Sequence, residues 1–296
     1  MRRVLFLAIA VLVGSGPFPL WAAEDITLEN NLTYATVGDV KLQLDLAKPA
    51  TGKGPFPCIV FIHGGGWSGG NRHAYRTAIE TAARKGYVAV TVSYRLTQPD
   101  PQTGQPKEPF PAQIHDCKAA VRWVRAHANE HQIDPQKIGV TGGSAGGHLS
   151  LLVGLTDAKD GLEGELGNGG QSSRVQAVCN VFGPTDMPVL FQSTPAVYGL
   201  VKALCNGTLE EQPAMYKAVS PVTYISKDDP PVLTLHGSDD KLVPVEQAMI
   251  LDKAMKAAGL SHELLILEGQ GHGFGGQAAV KADTAMWTFF DQHLKK

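Results

Sequence analysis

Six short runs of apolar, largely β-branched residues recur along the chain: CIVFI (58–62), YVAVTVS (87–93), KIGVT (137–141), VQAVCNV (175–181), PVLTLH (231–236) and HELLILE (262–268). Most are apolar almost without interruption. A strand of that kind is buried on both faces, as in a parallel sheet covered by helices on each side. Between the runs the period changes. Ile114, Cys117, Val121, Val124 and Ala128 are spaced 3, 4, 3, 4, one face of a helix. Ala248, Leu251, Met255 and Ala258 repeat that spacing, and Val280, Trp287, Phe290 and Leu294 line a C-terminal helix. Strand and helix alternate, which defines an α/β chain with a mostly parallel sheet. Residues 26–46 differ: they alternate, with Val40, Leu42, Leu44 and Leu46 on one face after a Gly38-Asp39 turn. That pattern predicts an antiparallel N-terminal hairpin with one wet face.

The expected organisation is a single domain over residues 24–296, interrupted by a surface loop at 97–111 and by a small cap or long excursion at about 187–229. Residues 1–23 read as a secretory signal peptide: two arginines, the apolar run Val4–Val13, then Ala22-Ala23. That run is well short of the roughly 20 residues a membrane span needs. A secreted or periplasmic protein without stable membrane association after cleavage is expected. The net charge of −2 and scattered basic residues argue against a nucleic-acid partner. Four cysteines, 58, 117, 179 and 205, lack metal-ligand spacing. The first three fall in apolar patterns and read as buried thiols; Cys205 is free to bridge in an oxidising compartment.

The chemistry concentrates in Gly142-Gly143-Ser144-Ala145-Gly146, a G-x-S-x-G pentapeptide. About 0.15 accidental matches are expected in a chain this long and glycine-rich, so context decides. A buried strand precedes the serine and the apolar run HLSLLVGL follows it. Strand, tight turn and helix expose a serine hydroxyl, and the helix N-terminus favours a developing anion. A serine nucleophile also needs a base and an orienting acid. GSDDKLVP, after the fifth run, offers Asp240 and Asp239; GQGHGF, after the sixth, offers His272 between glycines. FIHGGGW (61–67) follows the first run, where side-chain-free amides suit an oxyanion hole. His63 then reads as a loop brace rather than a base.

Taken together, HGGGW, DPQKIGVTGGSAGGHLS, FGPTD, SPVTYISKDDPPVLTLHGSDDKLVPVEQA and GQGHGF resemble the α/β-hydrolase superfamily over residues 30–295. The similar branch is the secreted feruloyl and acetyl-xylan esterase-like group, beside the hormone-sensitive-lipase-like esterases. The resemblance implies Ser144 as nucleophile, Asp240 as acid in the H-G-x-x-D-x-x-V-P pattern (Asp239 second), and His272 as base. It places the oxyanion amides on Gly65, Gly66 and Ala145. It implies an acyl-enzyme route with no metal or organic cofactor, and a small-molecule or polysaccharide ester as substrate, with acetyl or feruloyl acyl groups. No long apolar lid favours triglyceride. Phe191, Tyr198 and Tyr216 of the excursion stand either to stack on an aromatic acid or to pack the excursion itself. Two other readings stand beside this one. A prolyl-oligopeptidase-like peptidase shares fold and triad but carries a large extra domain. A non-catalytic binding protein on the same scaffold typically lacks the serine or the histidine.

Overall fold

The computed structural model describes residues 25–296; the expected signal peptide lies outside them. In chain order the elements are β1 Ile26–Val37, β2 Val40–Pro49, β3 Phe56–Ile62, α1 Arg76–Arg84, β4 Val88–Val92, α2 Ala112–Ala126, α3 Ala128–His131, β5 Ile133–Gly143 and α4 Ala145–Leu155. They continue with β6 Ala177–Val181, α5 Met187–Ser193, α6 Tyr198–Cys205, α7 Pro213–Ala218, β7 Val232–Gly237, α8 Glu246–Ala257, β8 His262–Leu267 and α9 Gly276–Leu294. The eight strands form one sheet in the order β1-β2-β4-β3-β5-β6-β7-β8. The first two pairings, β1 with β2 and β2 with β4, are antiparallel; every later one is parallel.

The near-continuous apolar runs have the predicted cause. Alternate residues of the central strands enter two separate cores. Val60, Ile62, Val90 and Val140 pack with Ile114 and Val121 of α2, Leu149 of α4 and Leu251 of α8. Ile59, Phe61 and Ala89 pack with Ile79 of α1 and Phe290 and Leu294 of α9. α4 lies against the sheet with all eleven residues buried, which is why its sequence shows no polar face.

Two expected core positions are corrected. Val40, at the hairpin tip, is 55% exposed and Val280, in the first turns of α9, is 67% exposed. Each shares the period of its neighbours but lies beyond the surface they cover. β5 also begins earlier than its apolar run, because Asp134–Lys137 bulge out between the pairs Phe56–Ile133 and Cys58–Ile138. All four cysteines are buried free thiols. None of the helices among the described residues is long and apolar enough to cross a membrane.

Residues 187–229, where the sequence shows weak periodicity, contain α5, α6 and α7. Their aromatics pack on each other: Phe191 stacks on Tyr198 with centroids 4.2 Å apart and meets Tyr216 edge-on at 5.0 Å. Tyr216 is fully buried. These three side chains hold the excursion together, and none of them lines the pocket described next.

Candidate active site

Parallel strands end on the same side of a sheet, and ligands of such sheets bind at those carboxyl ends. Here the ends of β3, β5, β7 and β8 deliver Gly64–Gly66, Ser144, Asp240 and His272 to one place. Ser144 caps α4 with φ 57° and ψ −122°, a left-handed backbone for a residue with a side chain. Such a conformation costs on the order of 1–3 kcal/mol and persists only where the surroundings enforce it. The enforcement is visible. The Ser144 amide donates to the Val181 carbonyl at 2.9 Å, and the Ser144 carbonyl accepts from His148 at 3.0 Å. A Cβ on Gly146 would collide with the Ile62 and His63 carbonyls, so only glycine lets α4 approach the end of β3 this closely.

That approach sets the serine beside the glycine loop. A Cβ on Gly64 would lie 2.7 Å from the Gly143 carbonyl oxygen and 3.4 Å from Ser144 Cβ. The amides of Gly65 and Gly66 have no backbone acceptor among the described residues. Ala145 contributes the first amide of α4, which has no partner within its own helix. His63 braces the loop: its ring stacks on Tyr94 at 4.3 Å and its Nδ1 lies 2.8 Å from the Gly64 carbonyl oxygen.

Ser144 Oγ lies 2.8 Å from His272 Nε2, and His272 Nδ1 lies 2.7 Å from Asp240 Oδ2. With Nδ1–H donating to the carboxylate, Nε2 is left as the acceptor for the serine proton. Asp240 Oδ1 accepts from the amides of Leu242 and Val243, both at 2.9 Å. Burial pushes the Asp240 carboxyl up, but the hydrogen bonds from His236, His272 and the Val243 amide outweigh it and hold the group well below the usual carboxylate range. Asp239, the other expected candidate, is exposed and points instead at the Ser238 hydroxyl, 3.1 Å away.

Residues the sequence reading passed over complete the surroundings. Phe182, also at positive φ, packs its ring on His272 with centroids 4.5 Å apart. His236 is fully buried, with Nε2 donating to the Val243 carbonyl at 2.7 Å and lying 3.5 Å from Asp240 Oδ2. Trp67 Nε1 donates to His148 Nδ1 at 3.1 Å, and His148 Nε2 donates to the Val219 carbonyl at 2.7 Å. That chain ties the glycine loop, α4 and the end of the excursion together. The sequence signal for it was a polar histidine four residues after the serine within an apolar helix.

Burial lowers His148 to about 4 against the opposing Val219 bond. Its unfolded value is about 6.5. Between those values the unfolded chain binds the extra proton, so stability falls as pH drops through that window, by on the order of 3 kcal/mol from this group. Burial lowers His63, His131 and His262 in the same direction. Urea midpoints should therefore be lower at about pH 4.5 than at about pH 7, and His148→Gln should flatten that dependence. An unchanged slope in the variant removes His148 as its source.

The assembled groups open into a cavity of about 440 Å³. Its walls are Trp67, Phe182, Leu190, Val197, Leu200, Leu242 and Val243, and it has no Asp, Glu, Lys or Arg among its described lining residues. Among the described residues, no group of three or more His, Cys, Asp or Glu is placed to hold a metal ion.

Sheet order, crossover pattern and the serine turn after β5 define the α/β-hydrolase fold. The chain belongs to the BD-FAE family, whose model matches residues 44–255. It is 34% identical over 226 residues to esterase LipC of Mycobacterium tuberculosis, across 74% of this chain and 53% of that protein. A truncated form of a carbohydrate esterase from gut microbiota has a TM-score of 0.78 and 30% identity, covering 91% of this chain and 97% of that one. The esterase Est2 of Thermogutta terrifontis, solved with propionate bound, has a TM-score of 0.74 and 31% identity, covering 90% of this chain and 94% of that one. The chain spans about half the length of the curated relatives it matches.

Proposed function

We propose that the protein is a serine carboxylic-ester hydrolase working through an acyl-enzyme. The observation that carries this reading is the line Ser144 Oγ, His272 Nε2, His272 Nδ1, Asp240 Oδ2, hydrogen-bonded throughout and facing free amides at the mouth of an apolar pocket. His272 takes the serine proton as Oγ bonds to the ester carbonyl carbon. The amides of Gly65, Gly66 and Ala145 hold the oxyanion of the tetrahedral intermediate. The C–O bond then breaks, and His272 returns the proton to the departing alcohol. Water repeats the sequence on the acyl-serine and releases the acid.

The substrate class follows from the pocket and from the relatives. An apolar wall without charged groups suits a neutral acyl group. The similar gut protein is named a carbohydrate esterase and Est2 holds a three-carbon acid, which supports short acyl esters of a polysaccharide or a related small alcohol. The same reading takes residues 1–23 as a signal peptide and residues 24–296 as one exported domain, with residues 187–229 as a cap that shapes the pocket. A panel of p-nitrophenyl esters from acetate to palmitate, with acetylated xylan, methyl ferulate and a proline-containing peptide, tests it. Turnover should be highest on the short esters, extend to the polysaccharide or ferulate ester, and be absent on the peptide. A preference for long chains would refute the polysaccharide assignment, and peptide cleavage would favour the peptidase reading.

A further inference from the structure

Apart from the hydrogen-bonded pair Ser144 and His272, Tyr75 is the one side chain lining the pocket whose donor has no acceptor among the described residues; the Trp67 indole is already committed to His148. Tyr75 ends a short 3-10 turn, Arg72–Tyr75, and its ring leans on Phe61 with centroids 5.5 Å apart. Its hydroxyl lies 3.3 Å from the point a Cβ on Gly143 would occupy, and the edge of Phe182 lies 3.1 Å from that same point. Phe182 in turn packs on His272. Tyr75 and Phe182 thus meet the residue before Ser144 at the same point, and Phe182 carries that contact on to the imidazole. Burial pushes the phenol up to about 12, against the Gly143 amide, which lowers it. The group is therefore an O–H donor at neutral pH.

We propose that Tyr75 is a specificity-determining residue that donates a hydrogen bond to a free hydroxyl on the alcohol side of the ester, next to the oxygen that His272 protonates. This rests on the ester-hydrolase reading above. The leaving oxygen must lie within reach of the imidazole, so the alcohol sits on that side. A polyol brought against hydrocarbon walls loses hydrogen bonds to water, and an uncommitted donor restores one of them. A sugar or glycerol ester carries such a hydroxyl; a simple alkyl ester does not. The residue thus distinguishes esters by their alcohol rather than by their acyl group.

The test compares glyceryl monoacetate with ethyl acetate, two esters of the same acid, on the wild-type protein and on Tyr75→Phe. The phenylalanine keeps the ring against Phe61 and removes only the oxygen. The ratio of kcat/KM for glyceryl monoacetate over ethyl acetate should fall about 10-fold in the variant, the scale of one hydrogen bond between neutral groups. A ratio taken within one preparation does not depend on the fraction folded. An unchanged ratio, whether both rates fall or neither does, overturns the role of Tyr75 and leaves the hydrolase reading standing. If the wild-type protein hydrolyses neither ester, the hydrolase reading fails, and this assignment with it.

Discussion

Ser144→Ala is expected to yield a folded protein whose kcat on a short p-nitrophenyl ester is lower by roughly four to six orders of magnitude. The side-chain hydrogen bond that disappears is the one to His272, so little else should change. Alanine tolerates φ 57° no worse than serine, and the amide that holds the turn to Val181 remains. A residual rate above water should persist, because the amides and the pocket still bind the ester. A fluorophosphonate should label the wild-type protein at one site and leave the variant unlabelled. Unfolding midpoints of the two proteins should agree closely. Activity above about one hundredth of wild type, in a folded variant, would remove Ser144 as the nucleophile.

Asp240→Asn is expected to lower kcat by about 10⁴-fold, with a much smaller change in KM. The asparagine oxygen can still accept from the Leu242 and Val243 amides, so its NH₂ turns toward His272 Nδ1. Two donors cannot share that bond. The imidazole must then move its proton to Nε2, which faces Ser144 and can no longer accept the serine proton. Removing the charge also takes away what stabilises the imidazolium formed during attack. Asp239→Asn provides the contrast: that side chain is exposed and touches no part of the His272 line, and its kcat should stay within about threefold of wild type. If the two effects were interchanged, the acid would have to be reassigned to Asp239.

Much of the fold was legible because burial acts on every residue of a strand or helix. β3, β4 and β7 read as apolar runs since both of their faces are covered, and α2 and α8 read by their 3.6-residue period. The errors sit at ends and bulges. Val40 and Val280 carry the right period but project past the edge of the core. Ile133 joins β5 across a bulge at residues 134–137 that no apolar pattern announces. The three short helices of residues 187–229 were hidden because each is too brief to establish a period.

The site divides along the same physical line. Sequence by itself determined the order of parts: a glycine turn after the first central strand, a serine between small residues before a buried helix, acid candidates after the fifth run and a histidine after the sixth. Those are local requirements of backbone conformation and close approach, and they leave their mark within a few residues. Tertiary structure alone decided which groups meet. It brought His272 within 2.8 Å of a serine 128 positions away, and it turned Asp240 rather than Asp239 toward the imidazole. It also joined Trp67 to His148 and Val219, and set Tyr75 beside the serine turn. A hydrogen bond is decided by ångströms between side chains from distant strands, and that spacing exists only once the sheet has placed their ends side by side.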